Sequence, residues 1–236
     1  LYGQYLFDDG SNIEAIAVPR AHTQGGALTW DDSTFALRYS GTLGDLTTSA
    51  TLARDRGDIV TGLGLGGPIG DATWNAELIP AFLQGGTVKV SGLVNISSGI
   101  MIADHNATIF AEYFHNGFGV AGSGTPLDQL PTSLTDRLAR GQLFTTSADY
   151  LAAGMTFEAT PLLTISPSVI FDVNDLSANL AAQANYSLGD NTNLIFGANV
   201  PLGGKGTEFG GRALTTGSPT YATPSTTAYV QLRQYF

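Results

Sequence analysis

Two glutamates, Glu77 and Glu112, are the side chains whose type and spacing most directly suggest a chemical role. Each lies in a run where apolar residues alternate with Ser, Thr, Asn and other polar residues. Successive side chains of a strand point to opposite faces, so both carboxylates belong to a polar face, near the middle of their strands. The two strands are two positions apart, which places their backbones about 10 Å from each other. Two carboxylates in a narrow polar passage would favour cations.

A second interpretation of the same glutamates remains open. The polar sides of other alternating runs carry Arg38, Lys89 and Arg233. Each carboxylate could therefore pair with a basic side chain inside a packed, closed interior rather than line an open passage. We predict that Glu77, Glu112, Arg38, Lys89 and Arg233 together line the interior and set its charge preference.

Other patterns that could carry chemistry are weak. Three histidines, His22, His105 and His115, lie in separate turns or strand ends, so they form no metal-ligand motif. The glycine-rich run 62–67 lies inside a strand with no helix after it, unlike a nucleotide-binding loop. His115 with Asp172 and Asp175 has no spacing diagnostic of a hydrolase. We therefore expect no catalytic residue, no bound metal and no cofactor.

The elements that must position these residues are β-strands. Alternation is clear at 34–40, where Phe35, Leu37 and Tyr39 share one side, and clearest at 176–188. Twelve such runs follow residue 12, and a run at 1–7 would make thirteen. Short charged or Gly-rich turns separate most of them, for example 54–58 and 189–192.

Composition excludes several classes of protein. The chain has 236 residues with 30 Gly, 13% charged residues and 43% hydrophobic residues, which fits one compact β domain. It has no Cys, which excludes disulfides and thiolate chemistry. A net charge of −10 argues against nucleic acid as a partner. No apolar run approaches the ~20 residues of a membrane-spanning helix, so a membrane location would require a closed barrel.

The lengths of the connections suggest two different ends of the sheet. Counting back from the last strand, the long connections 20–32, 117–146 and 201–222 all fall at one end. Short turns fall at the other end, as in barrels that have short turns on the periplasmic side. Within 117–146, leucines recur at helical spacing after Pro131, which predicts a short amphipathic helix over 132–140. That helix either folds over or into the mouth of the barrel as a constriction or lid, or merely caps the barrel or packs on the loops.

The last stretch, Thr226–Phe236, carries a family resemblance. Its apolar side holds Val230, Leu232 and the terminal Phe236, while Tyr229, Gln231 and Arg233 lie on the other side. This ending resembles the closing strand of Gram-negative outer-membrane β-barrels, although Gln234 stands where an aromatic residue is common. The resemblance implies that Phe236, Leu232 and Val230 form the assembly signal that the barrel-assembly machinery recognises.

The resemblance is to porin-type proteins as a broad class. It implies an all-β fold: a transmembrane, antiparallel, up-and-down β-barrel of at least 12 strands, with a short helix in a long extracellular loop. We expect residues 1–236 to form one barrel domain in the bacterial outer membrane, with both chain ends periplasmic. Because single-chain barrels normally have an even number of strands, a count of thirteen means either that the run at 1–7 is not a membrane strand or that at least one strand lies upstream.

The expected function is passive diffusion of ions or small polar solutes through the polar lumen. The alternative is a plugged barrel that scaffolds an envelope complex, and the remote alternative is an outer-membrane hydrolase. Expected partners are outer-membrane lipid and lipopolysaccharide, with a homo-oligomer or an envelope complex both open. The sequence does not identify the solute.

Overall fold

A computed structural model describes residues 1–22 and 26–235 of the chain. The chain divides into two compact units, Leu1–Val94 and Asn95–Phe236. The prediction of a single barrel domain stays a prediction. Within the described residues the fold is all-β, with fifteen strands, one short α-helix and one turn of 3-10 helix. Where the register between two strands is described, the strands pair antiparallel, which confirms the predicted antiparallel arrangement.

The first unit is a meander in which consecutive strands are neighbours. Its strands are β1 (Tyr2–Leu6), β2 (Asn12–Ala21), β3 (Leu28–Leu43), β4 (Leu46–Asp55), β5 (Asp58–Ile69), β6 (Ala72–Phe82) and the first part of β7 (Val88–Ile102). The strand at the start of the chain is thus present, and β1–β12 with β15 bring the number of main strands to thirteen. This agrees with the higher of the two counts that the alternation predicts.

The register of the first unit aligns residues of like polarity across neighbouring strands. A row of residues that pair across successive strands consists of Ile13, Tyr39, Ala50, Leu63 and Leu78. The next row runs Asn12, Ser40, Ser49, Gly64 and Glu77. The sheet therefore has an apolar face and a polar face, as the alternation predicts. Its apolar face is not covered by other parts of this unit: Leu63 is 64% exposed and Leu78 51%.

The second unit continues in the same meander pattern. It contains the rest of β7, then β8 (His105–His115), β9 (Asp149–Thr160), β10 (Leu163–Asp172), β11 (Ala178–Gly189), β12 (Thr192–Leu202) and β15 (Thr227–Gln234), with β13 (Arg212–Ala213) and β14 (Tyr221–Ala222) as a separate small pair. An apolar row runs Phe157, Ile165, Ala184, Phe196 and Val230. Phe196 is 43% exposed and Val230 67%, so this apolar face is open as well.

The two ends of the second unit differ in the length of their connections. Two-residue turns at 103–104, 161–162 and 190–191 join strands at one end. At the other end lie the connection 116–148, the turn 173–177 and the connection 203–226. This asymmetry confirms the predicted division into long and short connections for this unit.

The prediction of a long connection over residues 20–32 is wrong. β2 extends to Ala21 and β3 begins at Leu28, so at most six residues join them. The polar residues that suggest a loop are tied into this end of the sheet: Asp31 forms an ion pair with Arg54 at 2.6 Å, and Thr29 donates a hydrogen bond to Asp32. The chain accommodates Pro19, which lacks a donor, at a register shift between Val18 and Arg20.

The helix predicted at 132–140 is present as α1 (Thr132–Ala139), preceded by the 3-10 turn Leu127–Gln129. Leu134 is fully buried, and the Arg137 guanidinium lies 3.9 Å from the centroid of the Phe118 ring. The helix therefore packs on its own connection, while its role as a constriction or lid at a barrel mouth stays a prediction. Among the described helices, none is long and apolar enough to cross a membrane.

Candidate functional site

The polar face of the first unit brings together two of the predicted interior residues. Arg38 and Glu77 line one cavity of about 340 Å³ together with Ser49, Asn75 and neighbouring small residues. Gly64 lies between Ser49 and Glu77: a Cβ there would lie 2.5 Å from Ser49 Oγ and at an ordinary contact distance, 3.6 Å, from Glu77 Cγ. The absence of a side chain at Gly64 thus leaves space for the Ser49 hydroxyl on the polar face.

The cavity is bordered by the turn that joins β1 to β2. Ser11 donates its hydroxyl and its backbone N–H to the Asp9 carboxylate, at 2.6 and 2.9 Å. These bonds stabilise the ionised carboxylate and lower the pKa of Asp9 below its usual range. The acidic group therefore stays charged at one end of the polar face.

The remaining predicted interior residues lie on other strands. Lys89 is half-buried in β7, and Arg233 in β15 lies opposite Asn193. Glu112 is half-buried in β8 and accepts a hydrogen bond from the Asn95 side chain at 3.5 Å. Glu77 and Glu112 belong to different units, so their action as a pair stays a prediction.

A buried ionic cluster, which sequence reasoning missed, joins the long connections of the second unit. At its centre is Arg212, which is 3% exposed. Its guanidinium donates to Thr146 Oγ1 at 2.7 Å and to Ser147 Oγ at 2.8 Å. It also lies 3.4 Å from Glu208 and 3.9 Å from Asp175, whose side chain is fully buried. We call Arg212, Glu208, Asp175, Thr146 and Ser147 the connection cluster.

The connection cluster ties three segments that are far apart in the sequence. Glu208 accepts hydrogen bonds from the Thr146 backbone and hydroxyl, which binds 203–212 to the base of 116–148. The Asp175 carboxylate in turn accepts from the Glu208 backbone N–H, which adds the turn 173–177. No local motif indicates this arrangement; the only sequence signal is an arginine within a Gly/Thr/Pro-rich connection.

His115 has a partner that its sequence neighbours do not suggest. Its Nδ1 lies 2.7 Å from Asp149 Oδ1, and the Tyr113 hydroxyl donates to the same oxygen at 2.6 Å. A histidine held by a carboxylate is part of many hydrolase sites, which also need a nucleophile within reach of the imidazole. The hydroxyls of Ser147 and Ser177 instead contact Arg212 and Asp175. This arrangement favours a structural role for His115 at the end of the sheet.

The other two histidines are placed separately. His22 lies 3.3 Å from Asp32, and the His105 ring makes an edge contact with Phe157 at 5.8 Å.

Two residues of the predicted assembly signal lie on the exposed apolar face. Val230 and Leu232 stand opposite Phe196 and Leu194 in β12, with the aliphatic side chains accessible. Phe236 lies outside the described residues. Recognition of these residues by the assembly machinery therefore stays a prediction.

Comparison with known proteins gives no family for this chain. No protein-family model matches it, and no curated protein is significantly similar. Among solved structures, the NanC porin in its rhombohedral crystal form aligns with 100% of this chain and 98% of that chain, at 11% identity and a TM-score of 0.36. A likeness of this size does not establish a shared fold or function.

Proposed function

We propose that this protein is an outer-membrane β-barrel that forms a passive diffusion channel for ions or small polar solutes. The observation that carries the proposal is the exposed apolar face of each unit. Apolar residues such as Leu63, Leu78, Phe196 and Val230 form aligned rows that nothing in their own unit covers. Soluble monomers rarely expose contiguous apolar areas of this kind, whereas a lipid-facing barrel wall requires them.

The proposal includes closure of the strands into a barrel. In lipid, each unpaired backbone N–H or C=O costs several kcal/mol, so an open sheet edge in the membrane is not stable. The polar faces would then line the lumen, with Glu77, Glu112, Arg38, Lys89 and Arg233 setting its charge preference. Both chain ends would lie in the periplasm, and lipid and lipopolysaccharide would surround the apolar face.

A second candidate function is a plugged barrel that scaffolds an envelope complex. The connection cluster favours it, because buried charges and hydrogen bonds fix the long connections of the second unit rather than leaving them open. In this case the protein would serve to hold an assembly together, either with copies of itself or with other envelope proteins.

Conductance separates the two candidates. Purified, heat-modifiable protein in a planar bilayer with a salt gradient is expected to give stable open steps and a cation-selective reversal potential. Glu77→Gln and Glu112→Gln are each expected to lower the cation-to-anion permeability ratio by roughly twofold or more, because one lumenal charge is lost.

The matched control is Asp128→Asn, which removes a charge from the exposed 3-10 turn of the long connection. We expect it to change the ratio little, since salt screens exposed charges. An absence of open steps from correctly folded protein would contradict the channel and support the plugged barrel.

A further inference from the structure

A second polar-face cavity, of about 270 Å³, lies within the second unit. Its lining includes Glu112, Phe114, Phe144, Tyr150, Ala152 and Ile170. One wall comes from β8, β9 and β10, and the other comes from the segment 142–145 that follows α1. The cavity is thus a place where the polar face of the sheet meets the long connection.

The register places a carboxylate beside an aromatic wall in this cavity. Glu112, Ala152 and Ile170 form one row across the three strands. Phe114 and Tyr150 stand opposite each other in the row two residues further along. Rows two residues apart on one face are separated by about 7 Å, so a single small molecule can contact both.

The aromatic wall is positioned before a ligand enters. The Phe114 ring stacks on the Tyr150 ring with centroids 6.4 Å apart, and the Tyr150 hydroxyl accepts the Ser147 backbone N–H at 2.7 Å. Tyr150 is 3% exposed, so it supports the half-buried Phe114, and Phe114 presents the ring that a ligand can reach. Phe144 completes the wall from the connection, although it is 86% exposed. A large aromatic ring left this exposed beside a cavity has its apolar surface available to a ligand.

The segment that carries Phe144 is anchored at both ends. The Gln142 backbone N–H donates to Arg137 O at 2.9 Å, and the Thr146 N–H donates to Glu208 at 3.0 Å. A site whose walls are fixed before binding loses less ordering entropy when a ligand enters.

We infer that this cavity is a subsite for a small organic cation that passes through the channel, which rests on the proposed channel function. Aromatic faces attract ammonium groups through their quadrupole, most strongly for quaternary ammonium in aromatic cages. Glu112 supplies the opposite charge, and the chain as a whole carries −10. The subsite would hold the cation weakly enough to release it, as conduction requires.

Calorimetric titration of the folded protein in detergent with choline tests the inference. Choline is expected to bind in the millimolar range. Its neutral isostere, 3,3-dimethylbutan-1-ol, is expected to bind about tenfold more weakly, because it lacks the charge that the rings and Glu112 recognise. Glu112→Gln and Phe114→Leu are each expected to weaken choline binding by about tenfold.

Glu158→Gln is the matched control. Glu158 lies on the same face of β9 as Ala152 but six residues away, about 20 Å along the strand. We expect it to leave choline affinity unchanged. Heat-modifiability of each variant shows that it has folded.

Equal binding of choline and the isostere, unchanged affinity in Glu112→Gln, or binding of a neutral sugar in place of choline would overturn the inference. The titration requires neither a bilayer nor transport. Choline binding without conductance would therefore contradict the channel alone, and conductance without choline binding would contradict the subsite alone.

Discussion

Arg212→Met is expected to destabilise the folded protein by about 3–5 kcal/mol, the range for removing one partner of a buried ion pair. The substitution leaves the carboxylates of Asp175 and Glu208 without their cation in a site where the arginine is 3% exposed. It also removes the donors to Thr146 and Ser147. We expect a lower unfolding midpoint in urea and faster proteolysis within 116–148 and 203–226.

Two further variants separate the buried charge from a general sensitivity of this connection. Lys205→Met removes an exposed cation whose only described contact is the Tyr221 ring at 5.2 Å, and it should cost less than about 1 kcal/mol. Adding Glu208→Gln to Arg212→Met should restore part of the lost stability, because one stranded charge is neutralised. If Arg212→Met were no more destabilising than Lys205→Met, the cluster would not hold the connections together.

Gly119→Ala is expected to cost about 3 kcal/mol, at the upper end of the range for overpacking. A Cβ at this position would lie 2.1 Å from Ser147 O and 2.7 Å from Ala148 N. These are backbone atoms held by main-chain hydrogen bonds, Val120 N–H to Thr146 O at 2.9 Å and Ala148 N–H to Val120 O at 3.1 Å. The clash cannot be relieved by a rotamer change, so the base of the long connection must open.

Gly204→Ala provides the matched comparison. Gly204 also lies in a long connection of the second unit, but its added Cβ would meet no atom within 4 Å. We expect a change within about 0.5 kcal/mol. Thermal unfolding and limited proteolysis of both variants check the difference. Equal behaviour would show that the close approach of 119 and 147 does not support the fold.

The strand pattern could be predicted from sequence because a strand needs only local alternation. The apolar row through Leu63 and Leu78 and the polar row through Gly64 and Glu77 follow from parity once each strand is located. The helix at Thr132–Ala139 was likewise predictable, since leucine spacing and Pro131 are local signals. These elements are the ones whose formation depends on nearby residues.

Other features depend on partners far away in the chain. The start of β3 was predicted as loop because residues 20–32 are polar, yet Asp31 pairs with Arg54, 23 residues on. Asp149 lies 34 residues from His115, and Arg212 lies 65 residues from Ser147. Side chains brought together by folding of the connections leave no periodic pattern in the sequence.

The roles of Glu77 and Arg38 in setting a charge preference stay predictions, as does the lumen that they would line. Arg38 and Glu77 share one cavity, in agreement with the interpretation that a glutamate lies near a basic side chain. This proximity means that Glu77→Gln changes the surroundings of a nearby cation as well as the net charge. Arg38→Gln in the same bilayer experiment is therefore a useful companion variant.

In the proposed barrel, the apolar face contacts lipid while the polar face contacts water. Because the chain has no Cys, single cysteines can be introduced and spin-labelled without background. In β11 the two faces are sampled by positions 180, 182 and 184 on one side and 181, 183 and 185 on the other.

The decisive measurement is the accessibility of these labels, in liposomes, to oxygen and to a water-soluble nickel chelate. We predict that oxygen dominates at 180, 182 and 184, and the nickel chelate at 181, 183 and 185, with a period of two. Equal access of the nickel chelate to both sets, or no alternation between them, would contradict the account.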